Sequence, residues 1–122
     1  MTPATALLII GHGSKMAEAN AELLALVQQI PVTKNLMHVQ VAYLELAEPD
    51  IPTGIAQCVQ QGARCLVIVP YFLSRGTHVQ AHIPEHVERA KKKFPEIQFV
   101  LTAHVGVSPR MADLVAALVN VL

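Results

Sequence analysis

The feature that most constrains this chain is the alternation of four short apolar runs with longer stretches of helical period. The runs, Ala6 to Ile10, His38 to Leu44, Cys65 to Pro70 and Ile97 to Leu101, are rich in Leu, Ile and Val. Such short, nearly continuous apolar runs belong to strands covered on both faces, and their alternation with helical segments predicts a parallel α/β sheet. In the first helical stretch Leu23, Val27 and Ile30 recur at helical spacing, with Leu24 and Leu26 broadening the stripe. Pro49-Asp50 announces a second helix through Ile55 and Val59, with Gly62 as its stop. A third carries Ile83, Val87, Ala90 and Phe94 on one face and ends before Pro95, with Pro84 tolerated in the first turn. The last is expected to take Ser108 as N-cap and Pro109 as first helical residue, continuing through Leu114, Leu118 and Val121.

At 122 residues the chain is expected to form a single domain over 1–122. With 52% hydrophobic residues, 15% charged and a mean hydropathy of +0.42, it has ample material for a core, and disorder is excluded. Nine basic and nine acidic side chains give zero formal charge, so there is no overall field to draw nucleic acid or an anionic membrane. No apolar run approaches the ~20 residues that span a bilayer. The opening Met-Thr-Pro-Ala-Thr has no basic segment before its apolar run, which leads to the expectation of a cytoplasmic protein. Cys58 and Cys65 fit no metal or redox spacing and read as small buried hydrophobes.

In open parallel sheets the ligand crevice lies beyond the carboxyl ends of the strands. There the chain places Gly11-His12-Gly13-Ser14, then Glu45, then Ser74-Arg75-Gly76-Thr77-His78, then Thr102-Ala103-His104. His12 to Glu45 is 33 positions and Glu45 to His78 is again 33, about one strand, helix and loop. If strand one lies between strands two and three, neighbouring strand ends are ~4.8 Å apart and the three side chains can converge. Two imidazoles and a carboxylate suit Co²⁺, Ni²⁺, Fe²⁺ or Zn²⁺ and leave positions open for a substrate. Taken singly, a histidine at a strand end is more often a hydrogen-bonded loop residue than a ligand. Glu45, between Leu44 and Leu46, is harder to dismiss, since a carboxylate in apolar surroundings needs a partner. His78, His82 and His86, spaced four apart, form an alternative set that Pro84 interrupts, leaving His86 as a helix-surface residue and His38 as structural. Neither a P-loop, nor GxGxxG, nor GxSxG is present around Gly11-His12-Gly13-Ser14.

Leu8-Ile9-Ile10-Gly11-His12-Gly13-Ser14, Ala42-Tyr43-Leu44-Glu45-Leu46-Ala47-Glu48-Pro49 and Val69-Pro70-Tyr71-Phe72-Leu73-Ser74-Arg75-Gly76-Thr77-His78-Val79 with Ile83-Pro84 resemble the signature segments of the CbiX/SirB sirohydrochlorin chelatases. The resemblance covers nearly the whole chain and is closest to the short, single-domain form, which pairs as a homodimer. It implies a flavodoxin-like chelatase fold, a four-stranded parallel sheet of order 2-1-3-4 with helices on both faces. It also implies insertion of Co²⁺ or Fe²⁺ into sirohydrochlorin on the way to cobalamin or sirohaem. The metal is then a substrate and no tightly bound cofactor is expected. The family's metal-binding and base histidines carry over onto His12 and His78, and its neighbouring carboxylate onto Glu45. Ser14, Lys15, Ser74, Arg75, Thr77 and Arg110 become candidates for the eight carboxylates of the tetrapyrrole, with Tyr43, Tyr71 and Phe72 as the aromatic residues suitably placed to contact its ring. Where the family commonly has Asp before Ile-Pro, this chain has His82, and the His-rich loop of some short members is missing. A non-catalytic metal or tetrapyrrole binder on the same scaffold, or a nickel chelatase for the same macrocycle, are the competing readings.

Overall fold

The apolar runs form four parallel strands: β1 (Thr5–Gly11), β2 (His38–Tyr43), β3 (Cys65–Pro70) and β4 (Gln98–Leu101). The computed structural model describes residues 4–76 and 79–121. The strand order is β2-β1-β3-β4, as expected, which puts β1 at the centre with Ile10 opposite both Ala42 and Pro70.

Because side chains alternate across a strand, β1 and β2 each feed two cores, while β3 and β4 feed one. Ala6, Leu8 and Ile10 of β1, Ala42 of β2 and Leu66 and Ile68 of β3 face α2 (Ile51–Gln60) and α3 (His82–Lys93), where Ile51, Ile55, Cys58, Ile83, Val87 and Ala90 complete the larger core. Ile9, Val41 and Tyr43 face the other way, onto Leu23 and Val27 of α1 (Ala17–Gln28). Helices thus lie on both faces, as expected. Leu8, Ile10, Leu66 and Ile68 have no measurable exposure. Both cysteines are free and buried, and burial pushes the Cys58 thiol up to about 12, so it behaves as the hydrophobe its context suggested.

The helix starts follow from local chemistry. Asp50 caps α2, its Oδ1 accepting from the Thr53 N–H at 2.9 Å, and Pro52 sits in the first turn where no N–H is needed. Pro84 is tolerated in the first turn of α3 for the same reason, and Lys91, Lys92 and Lys93 occupy its last turn, where cations meet the negative end of the dipole. The C-terminal helix differs from expectation. α4 runs only over Met111–Ala117, followed by a 3₁₀ turn over Leu118–Val121. Ser108 does not cap it. Its Oγ accepts from the Arg110 N–H at 3.2 Å and its carbonyl from the Met111 N–H at 3.0 Å, so Ser108-Pro109-Arg110 close a turn of their own before the helix begins. No residue of α4 is buried.

Candidate functional site

The site begins where β1 and β2 end. Their parallel pairing does not stop with the strands: Leu44 N–H donates to the Gly11 carbonyl at 3.0 Å and Glu45 N–H to the His12 carbonyl at 3.1 Å. That extension carries His12 and Glu45 side by side, and His12 Nε2 lies 2.9 Å from Glu45 Oε1. Both side chains are 43% exposed, so Glu45 is not buried by its flanking leucines; its partner is the imidazole, and Leu46 is itself turned to solvent. In the tautomer that donates from Nε2, the carboxylate fixes the ring proton and leaves Nδ1 as the lone-pair nitrogen.

Gly13 makes the approach possible. Its φ is +95°, and a Cβ there would stand 1.7 Å from the Glu45 carbonyl oxygen. Beyond it, Ser14 is engaged from three sides. Its N–H donates to Asn20 Oδ1 at 3.0 Å, its carbonyl accepts from Asn20 Nδ2 at 2.8 Å, and its Oγ accepts from the Met16 N–H at 3.0 Å. Asn20 is a residue the sequence did not single out; a loop-to-helix clamp six positions long has no periodicity that would reveal it. Tyr43 is buried, its hydroxyl donating to the Asn20 carbonyl at 3.2 Å, and burial raises its phenol above the usual range. Its main-chain N–H bonds the Pro49 carbonyl at 2.8 Å, which closes the 44–49 loop beside Glu45.

The predicted residues are distributed over more than one hollow on this rim. His12, Gly13, Ser14, Asn20, Tyr43 and Tyr71 line one of about 270 Å³, and Lys15 lies in the adjoining groove with Ser14 and Tyr43. Ser74 and Arg75 line a different, larger hollow of about 1,110 Å³ with Thr102 and His104. Arg110 lies in neither. Thr77 and His78 lie outside the described residues. Among the described residues no three His, Cys, Asp or Glu side chains gather as a metal set; His12 and Glu45 supply two donors.

The other histidines divide as follows. His38 bonds Gln40 Oε1 at 2.7 Å within β2 and is structural, as expected. His82 Nδ1 lies 3.1 Å from Glu85 Oε2, which holds the Glu85 carboxyl below its usual value. His86, expected on the surface, is instead half-buried with Nδ1 enclosed and without a hydrogen-bond partner; burial, then Arg89 and His82, hold its pKa below 6.5. The reason is its place on α3 towards α2, near Asp50.

With this geometry in place, comparison with known proteins is decisive for the family. The CbiX profile matches residues 6–121. The chain belongs to the CbiX family. The chloroplastic sirohydrochlorin ferrochelatase of Arabidopsis thaliana is 36% identical over 112 residues, which are 92% of this chain and 50% of that one. Among solved structures, the sirohydrochlorin chelatase SirB from Bacillus subtilis subspecies spizizenii in complex with cobalt superposes with a TM-score of 0.79 at 28% identity, over 98% of this chain and 51% of its own. A CbiX protein from Marinobacter aquaeolei VT8 gives a TM-score of 0.78 at 26% identity, covering 95% of this chain and 94% of that one. This CbiX chain therefore spans about half the length of the curated relatives it matches.

Proposed function

We propose that this chain is a sirohydrochlorin chelatase, inserting Co²⁺ or Fe²⁺ into sirohydrochlorin for cobalamin or sirohaem synthesis in the cytoplasm. Residues 1–122 act as one chelatase unit, and two copies pair so that the rim of each faces a shared cleft. The observation that carries this reading is the His12–Glu45 pair, 2.9 Å apart at the carboxyl edge of a CbiX-family sheet. Insertion exchanges one divalent ion for two pyrrole N–H protons, so the site must hold a metal loosely and accept protons beside it. An imidazole whose tautomer is fixed by a carboxylate serves either task in turn. His78, 33 positions beyond Glu45 and outside the described residues, is the second imidazole, so one ring can hold the ion while the other takes a proton.

The hollows suit a large, flat, polyanionic substrate. Exposed Leu46, Tyr71 and Leu73 offer apolar contact to the ring, while Ser14, Lys15, Ser74, Arg75 and Thr77 offer donors to its carboxylates. The test is the absorption spectrum of sirohydrochlorin with Co²⁺ or Fe²⁺. Catalysis gives a rate proportional to sub-stoichiometric protein, whereas a carrier gives only a stoichiometric shift, and Ni²⁺ outcompeting Co²⁺ would mark a nickel enzyme. His12→Ala and His78→Ala are each expected to abolish the rate with the fold retained; full activity in His12→Ala refutes the assignment.

A further inference from the structure

The rim of the sheet is not electrically uniform. On its β2 side a hollow of about 710 Å³ is lined by Glu45, Glu48 and Asp50, with no lysine or arginine among the described residues. On its β3–β4 side the hollow of about 1,110 Å³ holds Arg75 and His104, with no aspartate or glutamate among the described residues that line it. Neither the Arg75 guanidinium nor the His104 imidazole makes a hydrogen bond or ion pair among the described residues, so both are available as donors. The depth of this hollow is apolar: Pro70 and Ile83 are buried and Leu101 is half-buried, whereas Ser74 and Arg75 stand exposed at its mouth. An apolar base with cationic and N–H donors above it suits an alkyl chain that ends in a carboxylate.

The backbone holds His104 in place from both sides. Before it, Thr102 N–H donates to the Ile68 carbonyl at 3.0 Å, prolonging β4 against β3, and Thr102 Oγ1 donates to the Ala103 carbonyl at 2.9 Å. After it, the His104 carbonyl accepts from the Val107 N–H at 3.2 Å, and Gly106 N–H donates to the Phe72 carbonyl at 2.9 Å. The chains approach there so closely that a Cβ on Gly106 would stand 1.7 Å from the Leu73 carbonyl oxygen. We propose that His104 is a specificity-determining residue for the tetrapyrrole. A carboxyalkyl arm of the macrocycle enters the β3–β4 hollow, its methylenes against Pro70, Ile83 and Leu101 and its carboxylate accepting from His104 and Arg75. Imidazole carries at least one N–H whether neutral or charged, so it can donate to a carboxylate in either state. The acids of the β2-side hollow repel the same arms, which gives the macrocycle one orientation and leaves that side clear for the incoming cation.

This inference rests on the chelatase reading for the identity of its ligand, and its test keeps the two apart by measuring binding without metal. Uroporphyrin, which bears the same acetate and propionate arms as sirohydrochlorin, is titrated with protein and followed by fluorescence. His104→Ala is expected to bind it about 10-fold more weakly, the loss of one hydrogen bond to a charged group, at unchanged circular dichroism, and His104→Gln to recover most of the affinity through its amide N–H. In the insertion assay the same His104→Ala raises KM for sirohydrochlorin and leaves kcat within about twofold, because the arm lies away from the reacting nitrogens. Combining it with Arg75→Ala costs less than the product of the two single losses, since both residues hold one carboxylate. Equal uroporphyrin affinity in wild type and His104→Ala, or a fall in kcat at constant KM, overturns the role of His104. Wild-type protein that binds the porphyrin with this dependence on His104 yet inserts no metal overturns the chelatase reading and leaves the hollow standing.

Discussion

A histidine and a carboxylate that are each 43% exposed contribute little to folding, however short their contact. Solvent screens such pairs to about 0–1 kcal/mol, so the His12–Glu45 pair is better explained by function than by stability. Glu45→Gln is accordingly expected to shift the unfolding midpoint negligibly yet lower chelatase rate or metal affinity by about 10- to 100-fold, the usual loss when a partner that orients a ligand histidine is removed; equilibrium denaturation beside a metal titration checks both halves. Gly13 behaves in the opposite way. A side chain at φ +95° is strained and would overlap the Glu45 carbonyl, so Gly13→Ala should cost about 2 kcal/mol or more and displace the pair, read as loss of both stability and activity. At this scale His12 and Glu45 were legible because their spacing matches one strand-helix-loop unit. The burial inferred for Glu45 was not, because flanking leucines do not bury a residue that stands beyond the end of its strand. Asn20 and the enclosed ring of His86 depend on tertiary neighbours that no local pattern encodes.

At the scale of elements, α2 and α3 meet where Asp50 and His86 lie near one another, and both groups make stability depend on pH in the same direction. His86 has its pKa lowered in the fold, chiefly by burial, so the unfolded chain binds the proton more readily. Its contribution is present above pH 6.5 and is lost as pH falls towards the lower folded value. Asp50, lowered by its hydrogen bonds from Thr53, adds stability that disappears only below its unfolded value of 3.8. Chemical denaturation of His86→Gln between pH 7 and pH 5 should therefore show a flatter profile than the parent, while Asp50→Ala should lose about 1 kcal/mol at neutral pH with the loss shrinking in strong acid. The starts of α2 and α3 were readable from Asp50 and from Pro52 and Pro84. The start of α4 was not, because Ser108-Pro109 signals a helix entry equally well whether the turn feeds a helix directly or closes on itself first.

For the whole molecule, alternating apolar runs sufficed to predict the strand count, the parallel sheet and the rim on which polar residues gather, because a sheet covered on both faces leaves a strong periodic imprint. How the rim is divided left no such imprint. A chain of zero formal charge can meet an anionic substrate only through local donors, and Arg75 stands with His104 in a hollow apart from His12. Under the proposed function Arg75 would meet a peripheral carboxylate that takes no part in the exchange of metal for protons, so Arg75→Ala is expected to raise KM for sirohydrochlorin several-fold while kcat changes little; steady-state kinetics over a range of tetrapyrrole concentrations checks it. The two backbone hydrogen bonds that prolong β1 against β2 have a last consequence. The spacing between imidazole and carboxylate is settled when the protein folds, so under the proposed function an arriving ion would not have to recruit and immobilise either group, and its departure would call for no rearrangement of that couple.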